Sequence, residues 1–182
     1  MNYIKVITDE DFGIESNEFN DPRTRLGARG IVFNNNKIAI LHKQLKNEYK
    51  LVGGGIDENE DPEVAFRREV QEEAGCAIEI TKCLGMIKEE KSQDNFIQTS
   101  YVYIANVTND NGNINYTEKE LGEGSKLLWL DIDEAMKLIK ESENKLKPSK
   151  FDGELSIYHT KFIVRRDYEI LKYYKSINSI VN

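Results

Sequence analysis

Three glutamates, Glu69, Glu72 and Glu73, stand at i, i+3 and i+4, and a glycine run, Gly53-Gly54-Gly55, lies ahead of them in the chain. On a helix those three positions share one face. Like charges so placed repel, at about 0.2–0.5 kcal/mol per unfavourable pair on an exposed helix. Carboxylates kept together against that repulsion can hold a hard cation, and oxygen ligands suit magnesium, calcium or manganese rather than zinc. The plainer reading is a solvated acidic face, which is what an acidic run on a helix ordinarily is. The residues around the glutamates separate the two readings.

The element that must carry them runs from Pro62 to Ala74. Asp61 and Pro62 read as N-cap and first helical position, and Gly75 as the C-terminal stop. Phe66, Val70 and Ala74 recur every four residues and make the buried stripe. Gly54, Glu60 six residues on, Arg68-Glu69-Val70, Glu72-Glu73 and Gly75 fall at fixed intervals over residues 54–76. This stretch resembles the Nudix box, G-x5-E-x7-R-E-U-x-E-E-x-G-U, where U is a bulky aliphatic residue. It departs from the box at one position: Cys76 stands where the family has Ile, Leu or Val. Cysteine is a small hydrophobe that can be buried, so slightly looser packing and intact chemistry are expected there.

The resemblance implies a hydrolase that splits a phosphoanhydride in a nucleoside diphosphate linked to another moiety. Water attacks phosphorus, and a divalent metal clamps the phosphate oxygens and lowers the pKa of that water. Carried over, Glu69, Glu72 and Glu73 would ligate Mg2+, with Mn2+ as a substitute, and the carbonyl of Gly54 or Gly53 would add a ligand. Glu60 and Arg68 would pair to hold the loop against the helix; an ordinary surface ion pair, worth about 0–1 kcal/mol, is the plainer reading. The general base would be Glu69 or a glutamate outside the box. Glu118, Glu120 and Glu123 are candidates for the latter, with Glu123 preferred because it precedes Trp129 by six residues, and Glu120 second. The expected catalytic set is therefore Glu69, Arg68 and Glu123, against the reading of Glu118, Glu120 and Glu123 as solvated loop charges.

Arg25 and Arg29 flank the first core strand, where the family places a basic residue against substrate phosphate. A guanidinium fork binds phosphate bidentately; the plainer reading of each is a surface arginine. Phe33, Tyr49, Phe96 and Tyr101 could stack a base but read as core. His42 and His159 show no partner pattern, and Cys76 and Cys83 have no nearby histidine to make a thiolate metal site. Downstream of the box, the SQPWPFP-like run of NADH-type relatives is absent, as are the proline of the ADP-ribose type and the tyrosine of the dinucleoside-polyphosphate type. A nucleoside triphosphate or a nucleotide sugar remains as the expected substrate. The alternatives are a non-catalytic Nudix-fold sensor that binds a nucleotide, and a plain α/β domain solubilised by its acidic helix. Sensors of this kind usually lose box carboxylates, and here all are present.

With 182 residues, 39% hydrophobic and 31% charged, the chain reads as one domain with terminal additions. A formal charge of −7 argues against a grip on nucleic acid polymers. Two cysteines suggest no disulfide framework. No long apolar run predicts a membrane span, and the first residues lack the form of a signal peptide. A cytoplasmic enzyme with a small nucleotide partner is expected.

Strands are expected at 2–8, 26–33, 37–42, 49–52, 77–89, 96–107 and 126–130, with helices at 62–74, 131–141 and 156–177. The continuous apolar run at 38–41 suits a strand buried on both faces. Residues 9–22 read as an extended arm or hairpin insertion, 53–55 and 90–95 as turns, 108–113 as a loop. Together these imply an α/β fold, an α/β/α sandwich around a central mixed sheet, as the Nudix resemblance also does. Its core spans about 25–140, with an N-terminal arm (1–24) and a C-terminal loop and helix (142–182), either of which could build a homodimer.

Overall fold

The apolar run at 38–41 lies on a strand with neighbours on both sides. In the computed structural model, which describes residues 2–153 and 155–179, Ile38, Ala39, Ile40 and Leu41 are all fully buried, as a strand covered on both faces requires. They belong to β3 (Lys37–Lys43), which turns back from β2 (Arg23–Asn34) through Asn35 at φ 56°. β3 also pairs antiparallel with β4 (Glu48–Leu51) and with β8 (Ser125–Leu130). On its other side β2 runs parallel to β7 (Phe96–Asp110), which is antiparallel to β6 (Cys76–Lys91). β1 (Tyr3–Ile7) adds a parallel edge to β6. The sheet is therefore mixed, in the order β1-β6-β7-β2-β3-β4.

Helices cover both faces. α1 (Pro62–Ala74) lays Ala65, Phe66 and Val70 against Ala28, Val32 and Tyr103 on one side. α3 (Ile132–Ser142) and α4 (Ser156–Ser179) lay Ala135, Ile139, Phe162, Val164, Ile170 and Leu171 against Ile7, Ile31, Ile40 and Ile87 on the other. Each fully buried aliphatic or phenyl side chain contributes about 1.5–3 kcal/mol by leaving water. Among the described residues no helix is long and apolar enough to cross a membrane.

Several elements differ from expectation, each for a local reason. The glycine run is not a turn but a short strand, β5 (Gly53–Gly55), paired with β2 in the register Gly27 to Gly55 and Arg29 to Gly53. Gly53 takes φ 133°, and a Cβ there would come within 2.4 Å of the Ala28 carbonyl oxygen, so only glycine lets the two backbones meet. The expected turn at 90–95 is shorter than read: β6 continues through Glu90 to Lys91, and the reversal is a 3-10 turn at Ser92–Asp94 closed by Asn95 at φ 46°. β7 likewise runs on to Asp110 into the expected loop. One helical turn, α2 (Glu118–Gly122), was not expected; its signal was the Thr117-x-x-Glu120 capping box. The N-terminal arm holds a 3-10 turn at Asp9–Phe12, and buried Asp9 accepts from the Ser92 backbone N–H (3.0 Å) and hydroxyl (2.6 Å).

α4 docks by charge as well as by its apolar stripe. Arg166 is fully buried and donates to Glu89 at 3.0 Å and to Asp167 at 2.7 Å. Asp167 in turn accepts the Leu51 N–H at 2.8 Å. Leu51 ends β4, the last strand of the sheet, so a helix carboxylate supplies a partner that no further strand provides.

Candidate active site

α1 is held at both ends by its own sequence. The Asp61 carboxylate accepts from Glu63 N–H (2.9 Å) and Val64 N–H (3.3 Å), and Gly75, at φ 66°, donates to Gln71 O at 3.1 Å. With Phe66 and Val70 turned into the core, the glutamate face is turned toward β5. Glu69 lies directly over Gly54: a Cβ on Gly54 would sit 2.4 Å from the Glu69 carboxylate.

Arg68 ties this face together. Its Nε and Nη2 each donate to Glu60 at 2.9 Å, Nη2 also reaches Gly55 O at 3.0 Å, and Nη1 donates to Glu69 at 2.9 Å and Glu72 at 3.5 Å. Glu60 further accepts the Asp57 N–H at 3.0 Å. The Arg68 hydrogen bonds, with that N–H, hold the Glu60 carboxyl down at about 2. The expected Glu60–Arg68 pair is thus present, and it joins the loop, β5 and α1.

Glu73 is placed differently from its two neighbours. It is buried, and both its oxygens are occupied: one accepts from Lys50 Nζ and the other from the Gly53 N–H, each at 2.7 Å. Lys50 also donates to Gly53 O at 3.3 Å, so an ammonium bridges a glycine carbonyl and a box carboxylate. Burial pushes the Glu73 carboxyl up, against the pull of Lys50. Burial likewise raises Glu72, opposed by Arg68 and reinforced by Glu69 and Glu120.

Glu123, the preferred outside glutamate, is held by two side chains from other segments. Glu123 is buried, with one oxygen on Lys43 Nζ (2.8 Å) and the other on the Ser149 hydroxyl (2.6 Å). Glu123 thereby ties Ser149 to β3. Glu120, the second choice, is the one whose charge bears on Glu72 and Glu73; it stands at the third position of α2 and closes the capping box with Thr117. Glu118 opens the same turn, on an exposed position.

Arg25 and Arg29 both face the glycine strand. Arg25 lies over Gly55, where an added Cβ would meet its guanidinium. Arg29 is 3% exposed, and its Nε has no hydrogen-bond partner among the described residues. Burial, with the neighbouring Arg166 guanidinium, pulls Arg29 down to about 10. The two arginines, Lys50, Gly53 and Gly54 line one cavity of about 140 Å3.

A NUDIX domain model matches residues 23–150. The chain belongs to the Nudix family. Its curated relatives include human "Diphosphoinositol polyphosphate phosphohydrolase NUDT4B", 32% identical over 103 residues, or 57% of this chain and 54% of the relative. Mouse diphosphoinositol polyphosphate phosphohydrolase 3-alpha is 34% identical over 103 residues, 57% of this chain and 59% of the relative. The chain thus matches little more than half the length of these relatives. Among solved structures, the E. coli ORF135 protein aligns over 90% of this chain and 97% of its own at a TM-score of 0.55 and 13% identity. A NUDIX hydrolase from Nitrosomonas europaea aligns over 80% and 93%, also at 0.55 and 13% identity. At such identity the likeness is one of fold, an α/β sandwich on a mixed sheet.

Among the described residues no three acid, histidine or cysteine side chains converge closely enough to hold a metal ion. The reason is visible: Arg68 draws on Glu69, and the Lys50 ammonium sits between Glu73 and Gly53 O. The donors are hard oxygens of the kind a magnesium-like dication takes, but in this arrangement Arg68 holds Glu69 and Glu72, and Glu73 reaches a metal only by releasing Lys50. Sequence reasoning missed Lys50 and its neighbours Lys43 and Lys46; their clustering in the hairpin KQLKNEYK was the available signal.

Proposed function

We propose that this Nudix chain is a divalent-metal-dependent hydrolase of a phosphoanhydride in a small phosphorylated molecule. The observation that carries it is the Glu69 carboxylate over Gly54, held by the Arg68 clamp that also grips Glu60 and Gly55. Glu69, Glu72 and the Gly54 carbonyl would hold Mg2+ or Mn2+, which when bound supplies charge neutralisation on phosphate oxygens and an acidified water. The chain's own part is to orient. Arg68 fixes the Glu69 carboxylate, which as general base takes a proton from the attacking water. Arg25 and Arg29 bind phosphate beside the glycine strand, and Lys50 brings a further positive charge to the same spot. The curated relatives support the bond type, since a diphosphoinositol group contains a phosphoanhydride. The sequence favours a nucleoside triphosphate or a nucleotide sugar as the molecule cleaved.

A panel of nucleoside triphosphates, nucleotide sugars and diphosphoinositol polyphosphates, assayed with Mg2+ and with Mn2+ and read by both products, tests this. Glu69→Gln is expected to lose about 10²–10⁴-fold in kcat, the usual worth of a positioned base, with its circular dichroism unchanged. Binding without product across the panel, under both metals, overturns the hydrolase in favour of the nucleotide sensor.

A further inference from the structure

A second cavity, of about 260 Å3, adjoins the first; Arg25, Lys50, Gln98 and Ile163 line both. Its wall is basic: Arg25, Lys43, Lys46, Lys50, Lys91 and Lys119 face it, against only Glu48 and Asp152. This is a concentration of positive charge in a chain whose formal charge is −7. The cations come from β2, β3, the β3–β4 hairpin, β4, β6 and α2, so they converge on the space rather than follow a groove.

The lysines have acid partners, but three of those lie behind them. Lys43 pairs with Glu123, Lys50 with Glu73 and Lys91 with Glu89, at 2.8, 2.7 and 2.8 Å. None of the three carboxylates is part of the cavity wall. They fix each ammonium in place and take one of its three N–H donors; Lys50 gives a second to Gly53 O. Lys46 pairs within the wall with Glu48 at 2.8 Å, and Lys46 and Lys119 share Asp152. Gathering ammoniums at low exposure costs desolvation and mutual repulsion, and a polyanion in the space offsets both. The adjoining Arg29, almost fully buried with Nε unpartnered, is a further donor without a ligand.

The same wall lacks a platform for a nucleobase. Its aromatic side chains are Phe96 and His159. The Phe96 ring already carries the Arg23 guanidinium at 4.9 Å and the Lys91 ammonium at 5.1 Å, and His159 tilts against it. His159 is itself drawn to Asp94 at 3.0 Å.

We infer that the cavity beside the glycine strand is a polyanion subsite, and that the group it takes is compact, densely phosphorylated and base-free. This rests on the hydrolase reading above and names the class of its substrate: the anhydride lies against β5 and the remaining phosphates fill the lysine cavity. The base and ribose of the nucleotide expected from the sequence would bring these cations no phosphate to bind.

Titration calorimetry on the full chain, without divalent metal, tests the subsite apart from catalysis. The probes are myo-inositol hexakisphosphate, inorganic tripolyphosphate and ATP. The hexakisphosphate is expected to bind at least tenfold more tightly than ATP, and tripolyphosphate no more weakly than ATP, because a base adds nothing. The first two probes distinguish a cyclic phosphate ester from a linear chain. Lys119→Ala, on an exposed side chain that leaves the fold intact, is expected to weaken the hexakisphosphate several-fold, and Lys43→Met together with Glu123→Leu more so. ATP binding more tightly than both base-free probes overturns the inference, as does hexakisphosphate affinity unmoved in both variants. Hexakisphosphate bound as expected, with no anhydride in the panel cleaved, would sink the hydrolase reading and leave the subsite standing. Nucleotide cleavage without hexakisphosphate binding would do the reverse.

Discussion

At Glu73 the same residue type, on the same helix face, does a different job from its neighbours. Glu69 and Glu72 meet Arg68 and the solvent edge, while Glu73 is buried between the Lys50 ammonium and the Gly53 N–H. The spacing of the three glutamates was legible because helix periodicity is regular. What each carboxylate touches was not, because Lys50 arrives from a separate strand. The outside glutamates repeat the lesson. Counting back from Trp129 favoured Glu123, but a lysine and a serine from distant segments hold it, and Glu120 is the one electrostatically coupled to the box. Accordingly Glu120→Gln is expected to weaken Mn2+ binding by about tenfold, roughly 1.4 kcal/mol. Glu123→Gln should leave that affinity unchanged and lower stability by about 1–3 kcal/mol, the cost of an unsatisfied buried partner. Manganese titration followed by electron paramagnetic resonance, with urea unfolding of both variants, checks the pair; metal loss in Glu123→Gln alone would reverse the assignment.

At the level of elements, the two glycines of β5 separate stability from function. Gly53 has φ 133°, and a Cβ there would meet backbone of β2. Gly53→Ala should therefore cost about 1–3 kcal/mol from backbone strain alone, and more from the clash. Gly54 has no such strain, and what a Cβ would meet is the far end of the Glu69 side chain rather than backbone. Gly54→Ala should fold with nearly normal stability and lose activity, because Glu69 must move aside. Denaturant midpoints and turnover measured together decide it; equal loss of stability in both would contradict the geometry. The helix α1 and its caps could be read directly from Asp61, Pro62 and Gly75. β5 could not, since a run of three glycines carries no strand propensity and pairs only because β2 is already beside it.

Across the molecule, α4 is joined to the sheet by Arg166, Asp167, Glu89 and Lys91. Burial alone would raise Glu89, but Lys91, Arg166 and Arg29 together overcome it and hold the carboxyl at about 2, down from 4.5. Its folded pKa is depressed, so its contribution is complete above about 4.5 and is lost as pH falls toward about 2. Glu89→Gln should remove about 3–5 kcal/mol at pH 7, as expected when a buried ion pair loses one member, and should flatten the acid limb of stability between pH 4.5 and 3. Urea unfolding across that range reads both; an unchanged acid limb would show that other carboxylates govern it. The apolar stripe of α4 was visible at helical spacing, whereas a charged pair at Arg166 and Asp167 reads in sequence as solvent-facing.

The Leu51 amide bonded to Asp167 bears on where this molecule can be cut. The family match stops at residue 150, and α4 begins at Ser156. A chain trimmed to the matched span would keep every box residue. It would also strand a strand-end N–H beside the glycines, deprive Glu89 of its guanidinium and open one side of the lysine cavity. For this protein, the smallest piece that keeps its chemistry is larger than the piece by which its kinship is known.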